Sequence, residues 1–295
     1  MALLGVVIAD TEMSGKAWSR ILNTNTTGKA RVVDDNARRG GEPPSTSGRG
    51  AHKSWRGPGR ARPQPDSTAE GGGRRPDEPA LPADLDPKRL SPEIRRELTT
   101  LDRVNAEMVA KHLVAAGELL DEDPEAALAH ARAARARSGR IAAVREAVGI
   151  AAYHCGDWAQ ALAELRAARR MGSKSVLLPL LADCERGVGR PERAIDLARS
   201  AEAAQLTGDD ADEMRIVAAG ARSDLGQLDQ ALATLSSPPI DPARTGQTAA
   251  RLCYAYADTL LALGREQEAM QWFLRAAAAD IDGVTDAEDR VAELA

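Results

Sequence analysis

Catalysis requires a nucleophile, a base or a metal set at workable spacing, and this chain supplies few candidates. Four histidines occur, His52, His112, His130 and His154, and the last three are isolated in segments that read as helical. His130 and His154 lack a cysteine or carboxylate partner at metal-ligand spacing, so they read as surface or groove side chains. The cysteines Cys155, Cys184 and Cys253 are far apart and odd in number. They make neither a metal cluster nor a disulfide framework, which points to a reducing compartment. Gly15-Lys16 and Gly28-Lys29 invite comparison with a phosphate-binding loop. That loop needs a glycine five residues before its second glycine and a hydroxyl residue after the lysine. Here Asp10 or Asn23 stands five back, and Ala17 or Ala30 follows. The acid runs Asp121-Glu122-Asp123 and Asp209-Asp210 fall at expected turns or helix starts, where they satisfy free amides and the helix dipole. The sequence therefore predicts no catalytic set, no cofactor site, no metal site and no small-molecule substrate.

One segment carries a different chemistry. Residues 36–65 hold seven bases, Arg38, Arg39, Arg49, Lys53, Arg56, Arg60 and Arg62, against the single acid Glu42. Arg39-Gly40, Arg49-Gly50 and Arg56-Gly57 are Arg-Gly steps, with Trp55 beside the last. Guanidinium groups on a flexible backbone suit phosphate contacts, and an interleaved ring suits stacking on a base. A solvated low-complexity tail gives the same composition, so both readings stand. Residues 1–88 contain 12 Gly and 9 Pro and too few spaced apolar residues to offset the cost of ordering the backbone. They are expected to be a disordered arm, with the boundary near residue 89.

The remainder, 90–295, has a different balance. The whole chain of 295 residues carries net charge −5, but residues 1–89 sum to +4 and the rest to −9. Aromatic residues are only 3%, which argues against an all-β fold, and alanine dominates the apolar set. The opening Met1 to Asp10 is apolar without a basic flank and too short to cross a bilayer. A cytoplasmic location without membrane contact is expected. Ser91-Pro92-Glu93 combines a capping hydroxyl, a proline at the first helical position and an acid in the first turn, and so predicts a helix start.

Downstream a phrase recurs. It begins at Glu122, Gly156, Gly189, Gly226 and Gly264 and reaches an alanine five residues later: Ala127, Ala161, Ala194, Ala231 and Ala269. The steps between these alanines are 34, 33, 37 and 38 residues. Seven residues before each turn residue stands another small side chain, Ala115, Gly149, Ala182, Ala219 or Ala257. Seven after the marker alanine comes Ala134, Ala168, Ala201 or Ala276, but Pro238 in the fourth unit. Two antiparallel helices can approach closely only where both carry small residues, and Leu165, Leu181, Leu235 and Phe273 are placed to fill the space beside the crossings. One such hairpin leaves an apolar face open and must stack on a neighbour. Ser236-Ser237-Pro238-Pro239 should cut the fourth unit's second helix short. Residues 285–294 suit a short capping helix.

This pattern over residues 104–280 resembles the tetratricopeptide repeat family, in particular actinobacterial members with a Gly/Arg-rich arm. The resemblance implies an all-α fold, an α-solenoid of about five helical hairpins after the arm. It further implies a non-enzymatic interaction scaffold that binds a protein or peptide along the concave face formed by the first helices. Glu146, Tyr153, Asp183, Arg186, Arg222, Arg251, Tyr254 and Asp258 are the residues expected on that face, with tyrosine and arginine as anchor types. A carboxylate clamp of Lys and Asn is not expected, since residues 90–295 hold only Asn105, Lys111 and Lys174. The alternative is a nucleic-acid- or ribosome-associated regulatory protein that works through the basic arm.

Overall fold

A computed structural model of the chain describes residues 78–174 and 176–295. The described residues form twelve α-helices and no strand. Helix α1 is Pro92–Leu98. Five hairpins follow: α2 (Arg103–Leu119) with α3 (Pro124–Arg137), α4 (Ala142–His154) with α5 (Trp158–Arg170), and α6 (Leu178–Gly187) with α7 (Pro191–Ala198). The fourth pairs α8 (Gly208–Asp224) with α9 (Leu228–Leu235), the fifth α10 (Gln247–Ala262) with α11 (Glu266–Ala279), and α12 (Ala287–Leu294) closes the stack. Each helix packs on its hairpin partner, and α3, α5, α7 and α9 each pack on the first helix of the next hairpin. The expected all-α solenoid is the observed architecture.

The recurring phrase is the hairpin turn. Gly156, Gly189, Gly226 and Gly264 all have φ between 70° and 76°, a backbone region that side chains with a Cβ resist. The residue after each glycine then donates its amide back to a carbonyl five residues earlier. These bonds are Asp157 to Ala152, Arg190 to Glu185, Gln227 to Arg222 and Arg265 to Leu260, at 2.8–3.0 Å. This is the Schellman closure of a helix end, and it satisfies carbonyls that the helix leaves open. The first hairpin has no such glycine; there Asp123 caps α3 by accepting the Ala126 amide at 2.9 Å. Asp157 does the same for α5 from Gln160 at 3.1 Å.

The marker alanines Ala127, Ala161, Ala194, Ala231 and Ala269 are all fully buried, as are Leu165, Leu235 and Phe273. At Gly149 the helices approach so closely that an added Cβ would lie 2.7 Å from Leu165 Cγ and 3.2 Å from the Leu165 backbone nitrogen. Small residues at the crossings thus set the spacing of each pair, and the flanking aliphatics exclude water from it.

Two features depart from the sequence reading. The packed body reaches upstream of residue 90: Glu78, Leu85 and Leu90 are buried, and Pro87–Arg89 forms a 3₁₀ turn capped by Asp86. The third unit is shortened as well as the fourth, because α7 ends at Ala198 and Ala201 is exposed beyond it. Cys155 ends α4 as its C-cap and is half-buried, whereas Cys184 and Cys253 lie inside α6 and α10 and are buried. After α9 the Pro238-Pro239 segment is held by α8: the Arg215 guanidinium donates to the carbonyls of Leu235 and Pro238. One continuous core runs from Leu85 to Ala221, and the last two hairpins carry smaller separate clusters.

Replacing Ala161 with Leu forces bulk into a crossing with no free volume and should destabilise the chain by about 1–3 kcal/mol. The same change at exposed Ala163, on the same helix, should alter stability by less than about 0.5 kcal/mol. Urea denaturation of the two variants checks both; equal effects would mean the crossing has been placed on the wrong residues.

Candidate partner-binding face

The first helices of successive hairpins lie side by side: α6 packs on α8, and α8 on α10. Arg186 of α6, Gly220 and Asp224 of α8, and Ala255, Asp258 and Thr259 of α10 line one shallow recess. Two of the predicted face residues line this recess, Arg186 and Asp258; Arg222 turns instead to the second helices, with Gln230 of α9 and Arg199 beyond α7 beside it.

Across this face runs a chain of polar contacts that join neighbouring hairpins. The Tyr153 hydroxyl of α4 donates to Asp183 of α6 at 2.6 Å. Arg186 takes the other Asp183 oxygen at 2.8 Å and reaches over to α8, where it grips both oxygens of Asp224 at 2.8 and 3.2 Å. Gly220 makes this possible, since a Cβ there would sit 2.6 Å from the Arg186 guanidinium carbon. A two-pronged guanidinium–carboxylate contact fixes angle as well as distance, so the pair sets the orientation of α6 against α8.

Three predicted residues are not on an accessible face. Glu146 is buried and accepts the Ser173 hydroxyl at 2.7 Å. Arg251 is buried in an ion pair with Glu213, itself buried, at 2.9 Å. Tyr153 is also buried, packed edge-on against Trp158 while its hydroxyl serves Asp183. Each faces a polar group from outside its own helix instead of solvent: Ser173 just beyond α5, Asp183 of the following hairpin, and Glu213 of the preceding one. Tyr254 is half-buried: its ring packs edge-on against Phe273, and Arg290 of α12 donates to its hydroxyl at 3.1 Å. Burial raises the Tyr254 phenol and, beside it, the Asp258 carboxyl; the Arg290 guanidinium 3.5 Å from Asp258 opposes the rise there. Arg222 is half-buried and donates to Gln230 at 2.5 Å. The basic-arm residues Arg38, Arg39, Arg49, Lys53, Arg56, Arg60 and Arg62 lie outside the described residues.

The remaining reactive side chains are set in unreactive surroundings. Burial pushes the Cys253 thiol up to about 11 and the Cys184 thiol higher still, so neither forms a thiolate readily. Among the described residues no group of three His, Cys, Asp or Glu side chains could hold a metal, and no helix is long and apolar enough to cross a membrane. His112 and His130, which the sequence left isolated, meet in the interior of the first hairpin instead of on its surface. Spacing from the markers carried that signal: His112 stands three before Ala115 and His130 three after Ala127, which are facing positions in an antiparallel pair.

Fold and face together define a helical-hairpin solenoid whose polar features knit its own repeats. Residues 181–286, from the third hairpin into the loop after α11, match the family model described as tetratrico peptide repeat. A search of curated proteins finds no match to the chain.

Truncating Arg251 to Ala would remove from the buried Glu213 the guanidinium that it pairs with in the interior. The loss should be about 3 kcal/mol or more, read as a lower urea midpoint. A midpoint unchanged within about 0.5 kcal/mol would return Arg251 to the accessible face.

Proposed function

We propose that the chain is a non-enzymatic scaffold, working in the cytoplasm, that binds a protein or peptide along the face formed by α6, α8 and α10. The observation that carries this reading is the recess shared by those three helices, which presents residues of three hairpins to one ligand. Arg186, Asp224 and Asp258 line it, so it presents one guanidinium and two carboxylates and suits an extended polar segment with donors and acceptors of its own. Alanine and glycine between them keep the floor shallow, which favours backbone approach over capture of a bulky side chain. Because the hairpins are cross-linked by buried ion pairs, little ordering would be required of the scaffold when a ligand arrives. The match to a repeat family of interaction modules and the three free cysteines support the class and the reducing location respectively.

Ser223 gives the cleanest test, because it lines the recess on α8 and is half-buried. Full-length chain and a Ser223→Arg variant, whose long side chain would fill the recess, would be used to capture proteins from cells that make the chain. A specific partner should be held at least about fivefold less by the variant, an effect of about 1 kcal/mol, with an unchanged melting midpoint. Undiminished capture of every specific partner would place binding elsewhere.

A further inference from the structure

The described chain begins with a buried charge. Glu78 is buried, and its carboxylate pairs with Arg137, at the end of α3, at 2.6 Å. Beside them lie two buried imidazoles, His112 from α2 and His130 from α3, with their Nδ1 atoms 3.0 Å apart. The other nitrogen of His112, Nε2, faces the Glu78 carboxylate at 3.8 Å. Leu85 and Leu90, from the same upstream segment as Glu78, are inserted in the core of the first hairpins. The partner-binding face uses none of these groups.

The 3.0 Å separation restricts where protons can sit. Two ring nitrogens at that distance bond only if one carries a hydrogen and the other a lone pair. A hydrogen on His112 Nε2 points its positive end at Glu78, whereas a lone pair there would point at a negative oxygen. The carboxylate therefore selects the tautomer in which His112 holds its proton on Nε2 and accepts at Nδ1 from His130. The closed cluster then holds the Glu78–Arg137 ion pair beside two neutral rings. One added proton leaves a buried positive charge near Arg137. A second sets two N–H groups head to head at the 3.0 Å contact.

We propose that Glu78, His112, His130 and Arg137 form an acid-sensitive latch that fastens residues 78–90 to the first hairpin and releases them when a proton enters. The charged or titratable groups facing His112 are His130 and Arg137 from α3 and Glu78 from the upstream segment. Burial first, and then His130, hold His112 down to about 4, with Glu78 opposing, and burial lowers His130 as well. A released imidazole titrates near 6.5. The open form thus binds protons more readily than the closed one. The latch is at full strength above about pH 6.5 and weakens as pH falls toward 4, by about tenfold per pH unit for each proton taken up.

Hydrogen exchange of the full chain tests this, with the pH dependence of intrinsic exchange divided out. The reporters are the amides of Lys88, Arg89 and Leu90, which bond to Asp86 Oδ1, Asp86 O and Pro87 O in the closed form. Between about pH 6.5 and 5 their opening constant should rise at least tenfold, while amides within α10 change less than about threefold. The double substitution His112→Asn with His130→Asn places a non-titrating amide near each former Nδ1 position and should abolish the rise. If that variant fails to fold, the unmodified chain still decides. No rise, or a parallel rise in α10, would overturn the latch.

Discussion

Each hairpin depends on a crossing too narrow for any side chain larger than alanine. Ala115 and Ala127, Gly149 and Ala161, Ala182 and Ala194, Ala219 and Ala231, and Ala257 and Ala269 are all buried at these crossings. Close approach at the crossing brings the small residues and the large aliphatics beside them into shared buried clusters. The composition follows from this requirement. A stack built on small contacts uses alanine for both helix formation and spacing, and has few positions that demand an aromatic ring.

A second constraint acts between hairpins. Their junctions contain buried carboxylates met by arginines from a neighbouring unit, Glu164 by Arg135, Glu185 by Arg166 and Glu213 by Arg251, while Arg145 of the same hairpin also meets Glu164 and Arg244 of the α9–α10 loop meets Asp212. Pairs of this kind need not add much net stability, since desolvation offsets attraction. They do penalise any rotation that separates the partners, because a stranded interior charge is costly. The consequence for binding is a face whose geometry is set before a ligand arrives, with Arg186 bridging Asp183 and Asp224 along its middle.

The architecture was legible in the sequence because its cause is local. A turn glycine and a small residue at fixed spacing recur within one hairpin, and the marker alanines, the Schellman turns and the truncated α9 all lie where that spacing puts them. The face was less legible. Residue type and helix position place Glu146 and Arg251 on a polar side, yet their surroundings come from other units. Arg251 is buried by Glu213, 38 residues earlier. Periodicity within a helix says which side a residue is on and is silent about what stacks against that side. The same limit hid the shortened α7, whose end at Ala198 no proline marks and on which the Ala203–Gln205 turn packs. It also hid Glu78, which reads as part of a Gly/Pro-rich arm until Arg137 is seen beside it.

Gly149→Ala tests the central constraint most directly, because two principles disagree on its sign. Gly149 lies inside α4, where intrinsic helix propensity favours alanine by about 1 kcal/mol. The new methyl, however, would stand 2.7 Å from Leu165 Cγ and 3.2 Å from its backbone nitrogen, so α4 and α5 would have to separate. If close crossings govern the fold, urea denaturation of Gly149→Ala will show a loss of about 1 kcal/mol or more, partly recovered when Leu165 is trimmed to Val in the same chain. A gain of about 1 kcal/mol, with no coupling to Leu165, would contradict the account.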